Sequence, residues 1–443
     1  MKILKTNLSL ITITFLLAIG YVVSCTKDDQ ILDVAQTDNS TDLIASKAST
    51  APVIDGTIDA AWQNATTLNF QPTVPDPGNG LFSGYIGDVY KASLRCMYDD
   101  QYVYFLAEYN DNTKNTNVTP WYFDSTTKRW NQEGSSKTYD VNGALTRVGF
   151  GEDKMAMLWN IDKSTPKFIS QTCYASCHVF SPYMDYSVTP SVYKSNSNSG
   201  NHYTNGANEK IDMWWGHLSK DLVFNQMDDN YQDWAGGPGI TNLTGGNANG
   251  RHVDDITVTS NSATWPYRPV YSTTATQGSS NNRQSLKLDG TGATVTVPLW
   301  IKVNATNYNY ILATDTLSAA NVVKITGVSS TGILYYGVND SINPNLGNDY
   351  LRTGNSVTGS VGSKCFPSFI ASPLINGRAD ITCAAVHTGS GWIVEYKRLI
   401  KTSDVLKQDV DFTSKEDFPF GFAIWDGSNN QHAIQPNLVL KFK

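Results

Sequence analysis

Two cysteines and a histidine in the segment Cys173–His178 are the residues of this chain best suited to chemistry. Cysteine thiols add to the vinyl groups of haem and form thioether bonds, and a histidine beside the second cysteine can bind the iron as its proximal ligand. The usual attachment motif has two residues between the cysteines, whereas three separate Cys173 from Cys177. The hexapeptide predicts one covalent haem c held by Cys173, Cys177 and His178. A local disulfide and half of a zinc site are the alternatives.

The N-terminus predicts export from the cytoplasm. Lys2 and Lys5 precede an apolar run at residues 8–19, and a charged start before a short apolar core is typical of a secretory signal. The end of this segment resembles a bacterial lipobox, which predicts a signal peptide at 1–24 and a lipid on Cys25. The acidic residues that follow resemble the export tag of surface lipoproteins in Gram-negative bacteria. We therefore expect a lipid-anchored protein of the outer membrane or cell surface, with an ordinary signal peptide as the alternative.

Composition excludes two classes of protein. The chain has 443 residues, of which 40% are hydrophobic and 16% charged, so it has enough apolar residues to fold. Its net charge is −7 and it lacks basic blocks, which argues against binding to nucleic acid.

Strand patterns predict an all-β fold of antiparallel strands. Residues 25–50 are polar and without periodicity, which predicts a tether before a folded domain at 51–443. Two runs rich in aromatic and β-branched residues, 92–98 and 102–109, flank an Asp-Asp turn and predict a hairpin. A stretch at about 235–375 is rich in Gly, Asn, Ser and Thr. It predicts a large elaboration of loops and extra strands, or an inserted small domain.

A further strand is predicted at Lys154–Trp159. Strand alternation points Met155, Met157 and Trp159 to one face. Methionine at such positions usually fills a core, but the cysteine motif follows closely, so a haem could lie near this strand.

Several scattered motifs resemble one protein family. They are Asp55-Gly56 with Trp62, Asp212–Trp215, Gly377–Asp380 with Gly391-Trp392, and Phe422–Gly427 with Asn430–Ala433. On these motifs the chain resembles the haem-binding domain of ethylbenzene and dimethyl-sulfide dehydrogenase γ subunits and related c-type cytochromes. That domain is similar to family 9 carbohydrate-binding modules. The resemblance implies an antiparallel β-sandwich with long loops. The cysteine pair places the chain with the c-type members.

The resemblance also implies a second, distal iron ligand. His432 lies in the loop where the γ subunits place an axial ligand. Met155 or Met157 is an alternative, because a thioether ligand raises haem potential, and His217 is a weaker one. Four tryptophans could wall a haem pocket, stack on sugars or simply fill the core; they are Trp62, Trp159, Trp214 and Trp215.

The remaining reactive residues carry no predicted active site. Cys96 is expected to be a buried structural thiol, and Cys365 with Cys383 is a plausible disulfide in an exported chain. The adjacent acids Asp228-Asp229 and Asp254-Asp255 are expected to be solvated, with calcium binding as the less common alternative. The sequence has no Gly-x-Ser-x-Gly elbow, His-Glu-x-x-His helix or phosphate loop. We therefore expect no enzymatic activity.

The sequence as a whole predicts a lipid-anchored, c-type cytochrome-like protein of extracytoplasmic electron transfer. Its expected partners are redox proteins, namely a respiratory dehydrogenase, a reductase or a quinol-side donor. The alternative is a surface lipoprotein without haem that binds carbohydrate through tryptophan platforms, with Cys173 and Cys177 joined in a disulfide.

Overall fold

The computed structural model describes most of the chain beyond residue 39. The described residues are 40–76, 82–142, 144–177, 202–206, 208–233, 250–254, 280–303, 309–318, 320, 322–346 and 365–443, with the backbone alone at 183–185, 192–194 and 278–279. The predicted signal peptide and Cys25 lie outside these residues, as does His178. In the part of the chain that the structure describes, no helix is long and apolar enough to cross a bilayer.

Strands dominate the structure. The first group is β1 (Asp42–Lys47), β2 (Leu68–Phe70), β3 (Ala92–Tyr98) and β4 (Tyr102–Asn110). A pair of short hairpins follows, formed by β5 (Trp121–Asp124), β6 (Arg129–Gln132), β7 (Thr138–Tyr139) and β8 (Leu145–Arg147). The central group is β9 (Glu152–Asn160), β10 (Tyr183–Asp185), β11 (Val192–Lys194), β12 (Ile211–His217), β13 (Gln226–Gln232) and β14 (Arg251–Val253).

The second half adds a further group before the chain closes. This group is β15 (Gly278–Asn281), β16 (Gln284–Lys287), β17 (Thr294–Val297), β18 (Trp300–Lys302), β19 (Ile311–Leu312), β20 (Val322–Val328), β21 (Leu334–Tyr336), β22 (Asp340–Ile342) and β23 (Phe369–Ser372). The closing strands are β24 (Ile381–His387), β25 (Gly391–Leu399), β26 (Phe418–Ser428) and β27 (Ala433–Phe442).

Among the described residues, helical structure is confined to single turns. Phe168–Gln171 forms one α-helical turn. The 3₁₀ turns are Ala60–Asn64, Ile161–Lys163, Thr172–Ala175, Leu222–Phe224, Ala313–Leu317, Pro344–Leu346 and Asn376–Ala379.

The main sheet closes on itself, which corrects the predicted sandwich. Ten strands follow in the order β1-β27-β26-β9-β12-β13-β24-β25-β4-β3, and β1 then pairs with β3. The all-β prediction and the β3–β4 hairpin are confirmed. The sheet becomes barrel-like because β1 pairs in parallel with β27 through Asp42–Ala45 and with β3 through Ala45–Lys47. Both edges of the sheet are thereby hydrogen-bonded. The predicted tether is correspondingly shorter, since residues 42–47 belong to the sheet.

The two faces of β9 contact different layers, as its alternation predicts. Met155, Met157 and Trp159 point into the main core inside the closed sheet. Leu158 points outward into a smaller cluster with Met213. All nine residues of β9 are buried, so the outer face of the sheet must be covered here.

A second core belongs to the elaborations rather than to the main sheet. Trp121 and Phe123 of β5 and Trp130 of β6 pack against apolar residues of β17, β20 and β21. The predicted elaboration at about 235–375 thus shares its core with the insertion between β4 and β9. This second core explains how polar, Gly-rich sequence supports ordered strands.

The Asp-Gly…Trp motif fixes the start of the domain to β25. The Trp62 indole N–H donates to Glu395 Oε1 at 2.7 Å, and the Gly56 amide donates to Glu395 Oε2 at 2.8 Å. Gly56 has a φ of +84° and lies against Val386, so its position favours glycine. The Asp-Gly…Trp motif therefore holds one buried carboxylate, that of Glu395, through two hydrogen bonds.

Replacing Trp62 with phenylalanine is expected to destabilise the fold by about 2 kcal/mol, because the carboxylate of Glu395 loses one of its donors while remaining buried. Urea denaturation followed by circular dichroism measures this loss. Phe70→Leu, a change of similar size elsewhere against the main core, is the control for packing alone. If Trp62→Phe lowers the free energy of unfolding no more than Phe70→Leu does, the hydrogen bond from Trp62 to Glu395 does not stabilise the fold.

Candidate functional site

A tight turn holds the two motif cysteines together on the outer face of the sheet. After β9 the chain makes the helical turn Phe168–Gln171 and the 3₁₀ turn Thr172–Ala175. The Cys177 amide donates to the Cys173 carbonyl at 3.0 Å. Cys173 packs with the outward-facing cluster that contains Leu158 and Met213. The cysteine segment is therefore the cover of the outer face of β9.

The two thiols lie in different environments. Cys173 is buried, and burial raises the pKa of its thiol to about 12, so that thiol is protonated at neutral pH. Cys177 is half-buried, with its Sγ 3.9 Å from His202 Nε2. No disulfide joins Cys173 to Cys177, contrary to the carbohydrate-binding alternative.

Two adjoining cavities meet at this segment. The smaller has a volume of about 60 Å³ and is lined by both Cys173 and Cys177. The larger, of about 460 Å³, is lined by Cys177, and its size is within the roughly 300–1,000 Å³ usual for cofactor sites. Six residues line both cavities: Cys177, His202, Trp215, Arg251, Trp425 and His432.

A row of aromatic rings forms one wall of the larger cavity. Trp215 of β12 stacks on His217 with ring centroids 4.9 Å apart and faces Trp425 of β26 at 6.1 Å. Trp425 in turn stacks on His432 at 4.4 Å with an interplanar angle of 23°. Planar, apolar surfaces of this kind suit a flat aromatic ligand.

His432 has the arrangement of a metal-binding imidazole. Its Nδ1 lies 2.7 Å from the Asn430 carbonyl, which accepts only, so Nδ1 carries the proton and Nε2 the lone pair. Burial lowers the pKa of His432 to about 4, so the ring is neutral at physiological pH. Metal-binding histidines commonly donate their other N–H to a carbonyl in this way.

His217 lines the same cavity, but its imidazole is paired with a carboxylate. Its Nδ1 lies 2.8 Å from Glu152 Oε2, which also contacts Lys220 at 3.3 Å. Burial opposes ionisation of Glu152, but Lys220 and His217 hold its pKa well below the ordinary value. Glu152 thus anchors a carboxylate-centred network at the edge of the cavity.

Two cationic side chains line the cavity at its aromatic wall. The Arg251 guanidinium lies 3.9 Å from the centroid of the Trp215 ring. The Lys154 ammonium donates to the carbonyls of Ser428 and Asn429, each at 3.0 Å. Burial lowers the pKa of Arg251 to about 10 and that of Lys154 to about 8. Both therefore remain largely charged at neutral pH and favour an anionic group in the cavity.

The structure brings together only some of the predicted site residues. Cys173, Cys177, His217 and His432 meet at the cavities. Met155 and Met157 do not, because both are fully buried in the main core on the opposite face of β9. The Met157 sulfur instead accepts from the Tyr396 hydroxyl at 2.7 Å.

Of the predicted tryptophan wall, only Trp215 lines the cavity. Trp62, Trp159 and Trp214 are fully buried in cores and cannot serve as sugar platforms. Trp425 takes their place. The alternation of Trp425 with the inward-facing Ile424 would have indicated its outward position.

The other cysteine predictions have mixed outcomes. Cys96 is buried in the main core, as expected. No disulfide joins Cys365 to Cys383. The Cys365 thiol contacts the Asn117 side chain, whereas Cys383 is buried inside the closed sheet. The two cysteines therefore have different surroundings, and the expected disulfide, which rested on export alone, is not formed.

The acidic pairs predicted to be solvated are mostly buried. Asp228 forms a two-pronged pair with Arg378, at 2.7 and 2.5 Å. Asp229 and Asp254 are buried near Arg398. The prediction was wrong because Asp228 and Asp229 lie within β13 and Asp254 directly follows β14. Asp255 lies outside the described residues.

Comparison with known proteins gives one family match. The sequence model described as "Ethylbenzene dehydrogenase" matches residues 59–327. This range includes Cys173 and Cys177 but not His432. No curated protein shows significant sequence similarity to the chain.

Two solved structures resemble the chain weakly. Both are of a family 9 carbohydrate-binding module from Caldicellulosiruptor kristjanssonii. The complex with glucose has 8% identity and a TM-score of 0.25, covering 91% of this chain and 95% of that one. The complex with cellotriose has 9% identity and a TM-score of 0.25, with coverage of 91% and 93%. Scores this low carry no argument about function.

Proposed function

The chain belongs to the ethylbenzene dehydrogenase family, and from this premise we propose that it is a c-type cytochrome-like protein that binds one covalent haem. The observation that carries the proposal is that Cys177 and His432 line one cavity and Cys173 lines its smaller neighbour. Two thiols for thioether bonds and a neutral imidazole with an available lone pair are the donor set that a c-type haem requires.

The rest of the cavity fits the same group. Trp215 and Trp425 offer flat apolar walls, and Arg251 and Lys154 offer positive charge for carboxylate side chains such as the haem propionates. The chain's donors thus match both the apolar plane and the anionic edge of the cofactor. Haem, when bound, supplies a one-electron iron couple.

Each residue has a separate proposed role. Cys173 and Cys177 tether the cofactor, and His178 is the proximal ligand. His432 is the distal ligand, held in the right tautomer by the Asn430 carbonyl. The cysteine segment and the aromatic wall limit access of water, which helps to set the redox potential.

The wider proposal follows from the N-terminal sequence. A lipid on Cys25 anchors the protein outside the cytoplasm, at the outer membrane or cell surface. It passes electrons between respiratory partners, a dehydrogenase, a reductase or a quinol-side donor, and catalyses no reaction of its own.

The experiment is a pyridine haemochrome spectrum of protein produced with a c-type maturation system. The parent is expected to keep its haem through acid–acetone extraction, because thioether bonds resist it. The double variant Cys173→Ala, Cys177→Ala is expected to lose all covalent haem. The matched control is Cys96→Ala, since Cys96 is buried in the main core away from the cavities.

A second candidate function rests on the aromatic wall alone. Trp215 and Trp425 are half-buried and nearly parallel, at 27°, an arrangement that can stack on sugar rings. A colourless parent that binds polysaccharide, and that loses binding in Trp425→Ala, would overturn the haem proposal in favour of a carbohydrate-binding module.

A further inference from the structure

Three carboxylates converge at a point that the proposed haem site does not use. Asp111 follows β4, Asp153 lies in β9 and Asp426 lies in β26, yet their oxygens all lie within 4.8 Å of one another. Asp111 and Asp153 are only 2% and 0% exposed. Like charges so close and so buried repel strongly unless something neutralises them.

The local backbone is built to bring them together. The β26–β9 register shifts between Trp425 and Ser428, so Asp426 and Gly427 form a bulge. The Gly427 amide, in a residue with a φ of +53°, donates to Asp153 Oδ1 at 2.8 Å. The Asn115 amide donates to Asp153 Oδ2 at 2.7 Å, which fixes the loop after β4 against β9.

Salt bridges do not neutralise this cluster within the described residues, although the charge of Lys154 acts on Asp153 at longer range. Within the described residues, no lysine, arginine or histidine forms an ion pair with Asp111, Asp153 or Asp426. A second acidic cluster, Asp212 with Asp229 and Asp409, differs because Arg398 contacts all three of its carboxylates. Among the residues that the structure describes, a directly contacting counter-charge is therefore present at the Arg398 cluster and not at the Asp111 cluster.

Two buried polar atoms at the cluster also lack a partner. Asp111 Oδ2 has no hydrogen-bond partner among the described residues. The hydroxyl of Tyr109, a residue that is 1% exposed and not itself an acid of the cluster, has none either. Burial first, and then the charges of Asp153, Asp111 and Asp426, raise the pKa of Tyr109, so Tyr109 lies within electrostatic reach of the cluster. Because buried polar atoms usually have a hydrogen-bond partner, these two oxygens suit an ion or an ordered water that would bind them.

We propose that Asp111, Asp153 and Asp426 bind a calcium ion. The donors are all oxygen, which suits a hard cation and disfavours zinc, whose sites use sulfur and nitrogen. Three carboxylates exceed the one or two that magnesium usually takes from a protein. Burial and mutual repulsion raise the pKa of Asp111 to about 6 and of Asp153 to about 8, and a divalent cation would remove that penalty.

The ion would connect the loop after β4 with β9 and β26. Those two strands carry Lys154 and Trp425, the neighbours of Asp153 and Asp426 that line the larger cavity. Calcium would thus stabilise one wall of the cavity from the inner side of the sheet. The site does not depend on haem, so it is testable in protein with or without the cofactor.

The test uses the full chain stripped of metal with EGTA and titrated with calcium chloride by isothermal titration calorimetry. One calcium ion per chain is expected to bind and to raise the thermal unfolding midpoint, because a ligand that binds only the folded state stabilises it. Asp426→Asn is expected to weaken binding by about tenfold or more, since affinity depends on ligand charge. Asp426 is half-buried, so this variant is the least disruptive; Asp111→Asn is the second variant.

Asp409→Asn is the matched control, because it removes a charge from the Arg398 cluster instead. It is expected to leave calcium affinity unchanged. A folded parent that neither binds calcium nor gains thermal stability from it would overturn the proposal. Equal affinity in the parent and in Asp426→Asn, or loss of binding in Asp409→Asn alone, would overturn it as well.

Discussion

Replacing Arg398 with methionine is expected to destabilise the fold by about 3–5 kcal/mol, because a buried charge network loses the cation that contacts three of its carboxylates. Arg398 donates to Asp212 Oδ2 at 2.7 Å and lies 3.5 Å from Asp229 and 3.8 Å from Asp409. It also donates to the Val410 carbonyl. Methionine fills much of the same volume, so the loss is electrostatic. Urea denaturation at pH 7.5 measures it.

The destabilisation is expected to shrink at lower pH. Burial already raises the pKa of Asp212 and Asp229, and removal of Arg398 raises them further. In the variant the folded state therefore binds more protons than the unfolded state above pH 4, so its stability falls as the pH rises. The slope is about 1.4 kcal/mol per pH unit for each such proton. The variant should recover part of its stability between pH 7.5 and pH 5.

Arg378→Met is the matched control for this prediction. Arg378 pairs with Asp228, but both side chains reach solvent, with exposures of 12% and 11%. The free energy of unfolding should fall far less in Arg378→Met than in Arg398→Met. Equal effects in the two variants, or no pH dependence in Arg398→Met, would show that Arg398 is not the centre of the buried network.

The all-β fold class could be predicted from the local alternation of apolar and polar residues, whereas the closure of the sheet could not. The alternation of Met155, Ala156 and Met157 specifies a strand with two different faces, and the structure has both. The closure depends on residues 42–47, a short segment whose strand pairs with β3 and with the last strand, β27. Such long-range hydrogen bonding has no local signature, so the segment was predicted to be a tether.

The candidate site was predictable where its residues form a motif. Cys173 and Cys177 were found from their spacing, and His432 from its place in a family loop. Arg251 and Lys154 were missed because a single cation on a strand gives no periodic signal. Their importance comes from burial against Trp215 and Trp425, which depends on how β9, β12, β14 and β26 are arranged.

Replacing His432 with alanine is expected to convert the haem from a six-coordinate, low-spin form to a five-coordinate, high-spin form while leaving it covalently attached. This prediction rests on the proposed function, in which His432 is the distal ligand and Cys173 and Cys177 hold the cofactor. The side chain can be removed without unfolding the sheet, since it packs from a loop onto Trp425. Visible absorption and electron paramagnetic resonance of the oxidised protein distinguish the two forms.

Two variants test whether the effect is specific to that imidazole. His217→Ala removes the other histidine stacked along the aromatic wall, but His217 is paired with Glu152, so this variant is expected to remain low-spin. Met157→Leu is expected to remain low-spin too, because Met157 is buried on the opposite face of β9. A high-spin spectrum in His217→Ala with an unchanged spectrum in His432→Ala would reassign the distal position to His217. A protein without any haem in the parent would instead contradict the proposed function itself, so the two failures are distinguishable.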